Sequence, residues 1–239
     1  MRDKIKEKIN TILFDLDGTL LPLYQDAFIK SYFSRLAAKI LPLGFEKDAF
    51  VKAIMAGMDA MIYNDGTKTN AEAFWDIFEK LLDVKQENMM DMFLDFYTNE
   101  FDEVQEILTE RVSQRELIDD LKSRGYTLVL ATNPMFPIEA VATRLGWINL
   151  SPEDFALVTT FDNCRYCKPS VEYFQDILSR LGKKPEECIM IGNNTLEDMI
   201  CEKIGITAGL VTGNLENKNN YDINQFTHGT IEEVLKALL

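Results

Sequence analysis

The chain has 239 residues, 46% of them hydrophobic and 27% charged, so it can bury a sizeable core as one large domain or as a domain with a smaller module. Its formal net charge of −14 excludes phosphate-backbone binding as the main task of its surface, although one lysine in a cleft can still reverse the local field for a small anion. No apolar run approaches the roughly 18 residues of a membrane span. The mixed-charge start Met1-Arg2-Asp3-Lys4-Ile5-Lys6-Glu7-Lys8 lacks the apolar stretch of a secretion signal, so a cytoplasmic protein is expected.

Residues 11–15 read as the first strand. Ile12-Leu13-Phe14 is an apolar run of the kind buried in parallel sheets, and it leads directly into Asp15 and Asp17. An acid pair at the carboxyl end of a buried strand stands where α/β folds put their active sites. Its burial is costly unless something compensates the charge, most simply a metal ion.

Over residues 21–110 the pattern turns helical. Phe28, Tyr32, Leu36 and Ile40 recur at that spacing, as do Phe50, Ile54, Met58 and Ile62, then Phe74, Ile77, Phe78 and Leu81, then Met89, Phe93, Phe96 and Tyr97. Pro42 with Gly44, Asp65-Gly66 and Asp83 punctuate these runs, which predicts an antiparallel set of four or five helices. The many methionines here (Met55, Met58, Met61, Met89, Met90, Met92) are expected chiefly to fill the core.

From Ser113 onward helices and strands alternate. Ser113 with Glu116 fits a capping box for a helix to Arg124, followed by a strand over residues 126–132. A helix over 138–145, a strand over 155–160 and a helix opened by Pro169 and running to Leu181 come next. Then follow a strand over 188–191, a helix over 196–204, a strand over 208–211 and a last helix over 230–238, with His228 in the turn before it. This alternation predicts a parallel, doubly wound sheet that both ends of the chain complete. Cys164-Arg165-Tyr166-Cys167 has the spacing of zinc and redox sites, but zinc would need two further ligands and the single histidine is remote, so reduced thiols are expected.

Asp15-Leu16-Asp17-Gly18-Thr19-Leu20 resembles the first motif of the haloacid dehalogenase superfamily in its phosphatase form. Three further segments follow in the order of that family's motifs. The apolar strand ending in Ala131-Thr132-Asn133 is similar to the second, Cys167-Lys168-Pro169-Ser170 to the third, and Ile191-Gly192-Asn193-Asn194-Thr195-Leu196-Glu197-Asp198 to the fourth. The resemblance covers nearly the whole chain. It implies an α/β fold, a Rossmann-like doubly wound parallel sheet formed by residues 1–20 plus 111–239, with an α-helical cap domain over residues 21–110 lying above the site.

For function, the resemblance implies a phosphatase that hydrolyses a small phosphorylated metabolite with Mg2+, while the acidic charge and the lack of a long apolar run predict no nucleic-acid or membrane partner. Asp15 would be the nucleophile that forms an aspartyl-phosphate, and Asp17 the general acid and base, with its backbone carbonyl also on the metal. Thr132 and Lys168 would stabilise the phosphoryl oxygens, with Asn133 a second substrate-binding candidate. The metal set would be Asp15, Asp17, Asn193 and Asp198.

The fourth motif departs from the family's usual form, which has Asp where this chain has Asn193. An amide oxygen can still ligate Mg2+ but brings no formal charge, so weaker metal affinity is expected, with Glu197 or Asp198 compensating through a metal-bound water. Three alternatives stand beside the phosphatase. A phosphomutase shares all four motifs. A dehalogenase would lack the acid at Asp17. A binding or regulatory protein that has lost catalysis would be marked by Asn193, although its Asp15, Asp17 and Lys168 speak for an enzyme.

Overall fold

The computed structural model describes residues 9–239, and the mixed-charge segment 1–8 lies outside the described residues. Six parallel strands form a single sheet in the order β3-β2-β1-β4-β5-β6. They are β1 (Thr11–Phe14), β2 (Thr127–Leu130), β3 (Leu157–Val158), β4 (Cys188–Gly192), β5 (Thr207–Val211) and β6 (Thr227–Gly229). β1 is central and buried throughout, with Leu13 in register between Val129 of β2 and Met190 of β4. The chain order reverses between β1 and β4, and ligands of open α/β sheets bind outside the carboxyl ends at such a point.

Side-chain alternation along β1 divides the core. Ile12 and Phe14 face one side, with Ile118 and Leu121 of α5 (Arg115–Ser123), Val141 and Leu145 of α6 (Ile138–Gly146) and Val234 and Leu235 of α8 (Ile231–Leu238). Leu13 faces the other side, with Phe174, Ile177 and Leu178 of α7 (Val171–Leu181). Between β1 and β2 lie α1 (Gln25–Ile40), α2 (Lys47–Ile62), α3 (Asn70–Leu82) and α4 (Gln86–Thr98), with 3-10 turns at Leu41–Leu43 and Phe101–Ile107. Four α-helices fall within the four or five expected.

This helical segment buries its own aromatic cluster. Phe50 meets Phe78 edge-on at 5.4 Å between ring centroids, and Phe78 meets Phe93 at 5.8 Å. Edge-to-face pairs of this kind add to the apolar burial that holds the helices together. α3 starts on a complete capping box, in which Thr69 accepts from Glu72 N–H while Glu72 returns to the Thr69 N–H. Asn64-Asp65-Gly66-Thr67 forms the expected turn between α2 and α3. Met61 and Met89 are core, whereas Met55 and Met90 are exposed.

Several elements differ from the sequence expectation. α5 starts at Arg115 with Gln114, not Ser113, as its N-cap, because Gln114 is anchored through its N–H to the Ile148 carbonyl and through its amide to the Leu20 carbonyl. α7 starts after Ser170, whose hydroxyl accepts from Glu172 N–H, so Pro169 lies outside the helix. Only residues 199–204 of the expected 196–204 helix are helical, and they form a 3-10 turn. Ahead of it Asn194 Oδ1 accepts from the Leu196 and Glu197 N–H groups and turns the chain. β3 is two residues long, and His228 sits in β6, a strand of backbone pairing with no apolar run of its own. Cys164 and Cys167 are buried free thiols. Among the described residues no helix is long and apolar enough to cross a membrane.

Candidate active site

β1 carries Asp15 to the carboxyl edge of the sheet, where its N–H still bonds the Ile191 carbonyl at 2.9 Å. The chain then turns tightly, with Gly18 N–H donating to the Leu21 carbonyl at 2.8 Å and Leu21 N–H to the Leu16 carbonyl at 2.9 Å. Gly18 has φ +84°, and a Cβ there would lie 2.1 Å from Asn193 Nδ2. Only glycine meets both demands, so the first-motif loop closes directly onto Asn193. Gly192 is needed for a related reason, since a Cβ there would lie 2.2 Å from Asp198 Oδ2.

Lys168 joins the motifs. It is 2% exposed, and its Nζ donates to Asp15 Oδ1 at 2.9 Å and to Asp198 Oδ1 at 2.6 Å. Burial alone would lower its pKa, but the two carboxylates outweigh burial and hold it well above the ordinary lysine value. Asp198, expected among the metal ligands, has both oxygens engaged, the second accepting from Asn194 N–H at 2.9 Å. Burial pushes the Asp198 carboxyl up, against the pull of Lys168.

Asn193 donates through Nδ2 to the Asn214 carbonyl at 2.6 Å, which turns its Oδ1 toward Thr19. The Thr19 hydroxyl lies 3.2 Å from Asp15 Oδ2 and 3.3 Å from Asn193 Oδ1, and its single proton serves one of them at a time. Two hard oxygen acceptors thus converge beside one donor. Among the described residues no three His, Cys, Asp or Glu side chains cluster as a metal cage. The Asp15 carboxylate and the Asn193 amide oxygen nevertheless suit Mg2+, which keeps several waters and usually takes only one or two protein carboxylates.

From β2, Thr132 and Asn133 reach the same cleft. The Thr132 carbonyl is fixed by the Thr159 hydroxyl at 2.7 Å and by the Tyr173 hydroxyl at 2.9 Å. Asn133 Oδ1 accepts from Lys168 N–H at 3.2 Å, and its Nδ2 donates to Glu197 Oε2 at 3.1 Å. Burial pushes Glu197 up to about 7, with Lys168 opposing and the nearby Asp198 and Asp15 adding to the rise.

Asp15, Asp17, Thr132, Asn133, Asn193 and Asp198 line one cleft of about 180 Å3, to which the helical segment contributes Gln25 and Met58. Lys168 lies beneath it, bridging Asp15 to Asp198. All the site residues expected from the sequence are therefore brought together.

Sequence reasoning missed Arg144. This α6 residue is 1% exposed, pairs through Nη1 with Asp17, and has its guanidinium 4.7 Å from the ring centre of Phe136 and 5.5 Å from that of Phe28. Burial still raises the Asp17 carboxyl, with Arg144 pulling the other way and Asp15 adding to the rise. Asp17 Oδ1 and Arg144 Nη2 are buried without a partner. The available signal was a charge on an apolar helix face, since Ala140, Val141, Arg144 and Leu145 share the buried side of α6. Thr19 carried no comparable signal.

The family model for haloacid dehalogenase-like hydrolases matches residues 9–200. Pyrophosphatase PpaX of Bacillus velezensis is 30% identical over 211 residues, covering 88% of this chain and 85% of that protein. Among solved structures, a haloacid dehalogenase phosphatase from Thermococcus onnurineus aligns over 96% of this chain and 98% of its own, with a TM-score of 0.59 and 22% identity. The hydrolase YfnB of Bacillus subtilis, described as bound to magnesium, aligns over 97% of this chain and 99% of its own, with a TM-score of 0.56 and 19% identity. With the fold, the four motifs in one cleft and a family match over most of its length, the chain belongs to the haloacid dehalogenase-like hydrolases and is a phosphatase-type member of that family.

Proposed function

We propose that the protein is a Mg2+-dependent phosphatase of a small organic phosphate ester, working through an aspartyl-phosphate on Asp15, with residues 21–110 acting as a cap over a core of 1–20 and 111–239. The observation that carries this reading is the buried Lys168 between Asp15 and Asp198, beside an Asp17 carboxyl raised by burial. Such a lysine neutralises charge on a transferring phosphoryl group without competing as a nucleophile.

A carboxylate oxygen of Asp15 attacks phosphorus while the ester oxygen departs and takes the Asp17 proton. Asp17, now a carboxylate paired with Arg144, then removes a proton from water. That water attacks phosphorus, the bond to Asp15 breaks, and phosphate leaves. Thr132 and Lys168 stabilise the phosphoryl oxygens, and Asn133 aligns the Lys168 backbone through its 3.2 Å hydrogen bond. Mg2+ would be held by Asp15, the Asp17 carbonyl and Asn193, and when bound it neutralises the phosphoryl oxygens. Asp198 acts through Lys168, which it holds in place.

Turnover of p-nitrophenyl phosphate with and without Mg2+ tests this reading. Asp15→Asn is expected to lower kcat by about a thousandfold or more, as loss of a covalent nucleophile does. Activity that survives the substitution would rule out the covalent route.

A further inference from the structure

A second cavity, of about 280 Å3, lies between the helical segment and the β2–α6 loop. Met58, Met135 and Phe136 line both it and the catalytic cleft, so the two share a wall. Phe136 also covers the Arg144 guanidinium that pairs with Asp17, so the shared wall adjoins the candidate general acid.

Its lining is aromatic and aliphatic. Phe74 and Trp75 of α3, Phe93 and Tyr97 of α4 and Phe161 supply most of the wall. At its rim Met90, Leu94 and Ile138 are 46%, 49% and 38% exposed, a grouped exposure of large apolar side chains that marks a binding surface. Among the described residues the only charged ones on the wall are Asp91, Glu139 and Asp162, with no lysine, arginine or histidine. With Asp91, Glu139 and Asp162 on its wall, the cavity disfavours a second anion. A dry cavity of roughly 150 Å3 accepts benzene, and this one has room for a one- or two-ring body.

Resting on the phosphatase reading, we propose that the substrate's leaving group is an apolar body without a second anionic group, and that it occupies this cavity. The chain would then hydrolyse monophosphates of aromatic or bulky apolar alcohols, in preference to pyrophosphate or phosphorylated hydroxy acids. Pyrophosphate would leave its departing phosphate against an apolar wall rimmed by carboxylates, with no cation among the described residues to receive it.

The test compares kcat/KM of the Mg2+-loaded enzyme for 2-naphthyl phosphate, 6-carboxy-2-naphthyl phosphate, pyrophosphate and acetyl phosphate. The two naphthyl esters differ by one anionic group at the far end of the body. The expected result is at least a tenfold preference for the uncharged naphthyl ester over its carboxylate, with pyrophosphate poorer still. Leu94→Lys, at the exposed rim, is expected to narrow the gap between the two naphthyl esters severalfold. Equal or faster turnover of the carboxylate or of pyrophosphate, or an unaltered ratio in Leu94→Lys, would overturn the inference and leave the phosphatase reading standing. Failure to turn over any of the four, acetyl phosphate included, would overturn the phosphatase reading and this assignment with it.

Discussion

At Asn193 one amide performs two tasks that a carboxylate cannot combine. Its nitrogen donates to the Asn214 carbonyl at 2.6 Å, while its oxygen lies 3.3 Å from the Thr19 hydroxyl beside Asp15. Asn193→Asp is expected to tighten Mg2+ binding by about tenfold, because Mg2+ favours charged oxygen donors. The same change sets a carboxylate oxygen against the Asn214 carbonyl, so the metal-free protein is expected to lose on the order of 1–3 kcal/mol. Titration calorimetry and thermal melting check the two halves separately, and an unchanged affinity would mean that Asn193 does not touch the cation. Glu197 offers a pH signature. Its folded value of about 7 lies above the ordinary 4.5, so the fold favours the protonated form. That stabilisation is complete below pH 4.5 and is lost as pH rises through about 7. Glu197→Gln keeps an acceptor for Asn133, so it is expected to leave metal-free stability at pH 4 nearly unchanged and to raise it at pH 8 by on the order of 2 kcal/mol. Denaturant melts at the two pH values measure the difference.

At the level of elements, the contact between α2 and α3 depends on Gly57. A Cβ at that position would fall 2.4 Å from Cδ2 of Phe74, which is a ring and not the end of a flexible chain. Alanine favours a helix by up to about 1 kcal/mol over glycine, yet here the clash decides the sign. Gly57→Ala is expected to destabilise the protein by roughly 1–3 kcal/mol, as overpacking does. It is also expected to weaken turnover of apolar esters, since Phe74 lines the second cavity. A denaturation midpoint that rises instead would show that α2 and α3 can separate freely. The sequence revealed that these helices exist, through their 3.6-residue apolar spacing, but not how closely they pack. Gly57 reads as a weak helix position until Phe74 is seen against it.

For the whole molecule, the net charge of −14 opposes the approach of a phosphate dianion until Lys168, with the proposed Mg2+, takes over at close range. Raising ionic strength screens the long-range part and leaves the buried contacts nearly untouched. kcat/KM for an anionic ester is therefore expected to rise severalfold between about 0.02 and 0.2 M salt at saturating Mg2+. Steady-state rates at fixed pH would show it, and a fall with salt would locate a cationic steering surface on the molecule.

The sequence by itself determined the α/β core and the helical segment after β1, because these rest on local periodicity, and its motifs at strand ends named residues that line one cleft. It also singled out Asn193 as the unusual position. Other features were decided by contacts between distant parts of the chain. β6 has no apolar run and exists through backbone pairing to β5. α5 starts at Arg115 because Gln114 is held by Ile148 and Leu20. Arg144 reaches Asp17 from 127 residues away. The apolar cavity beside the cleft joins side chains from α1 to α4 with the β2–α6 loop. Tertiary structure alone settles such features, because buried charge pairing, backbone ladders and enclosed volume belong to residues that meet only once the chain has folded.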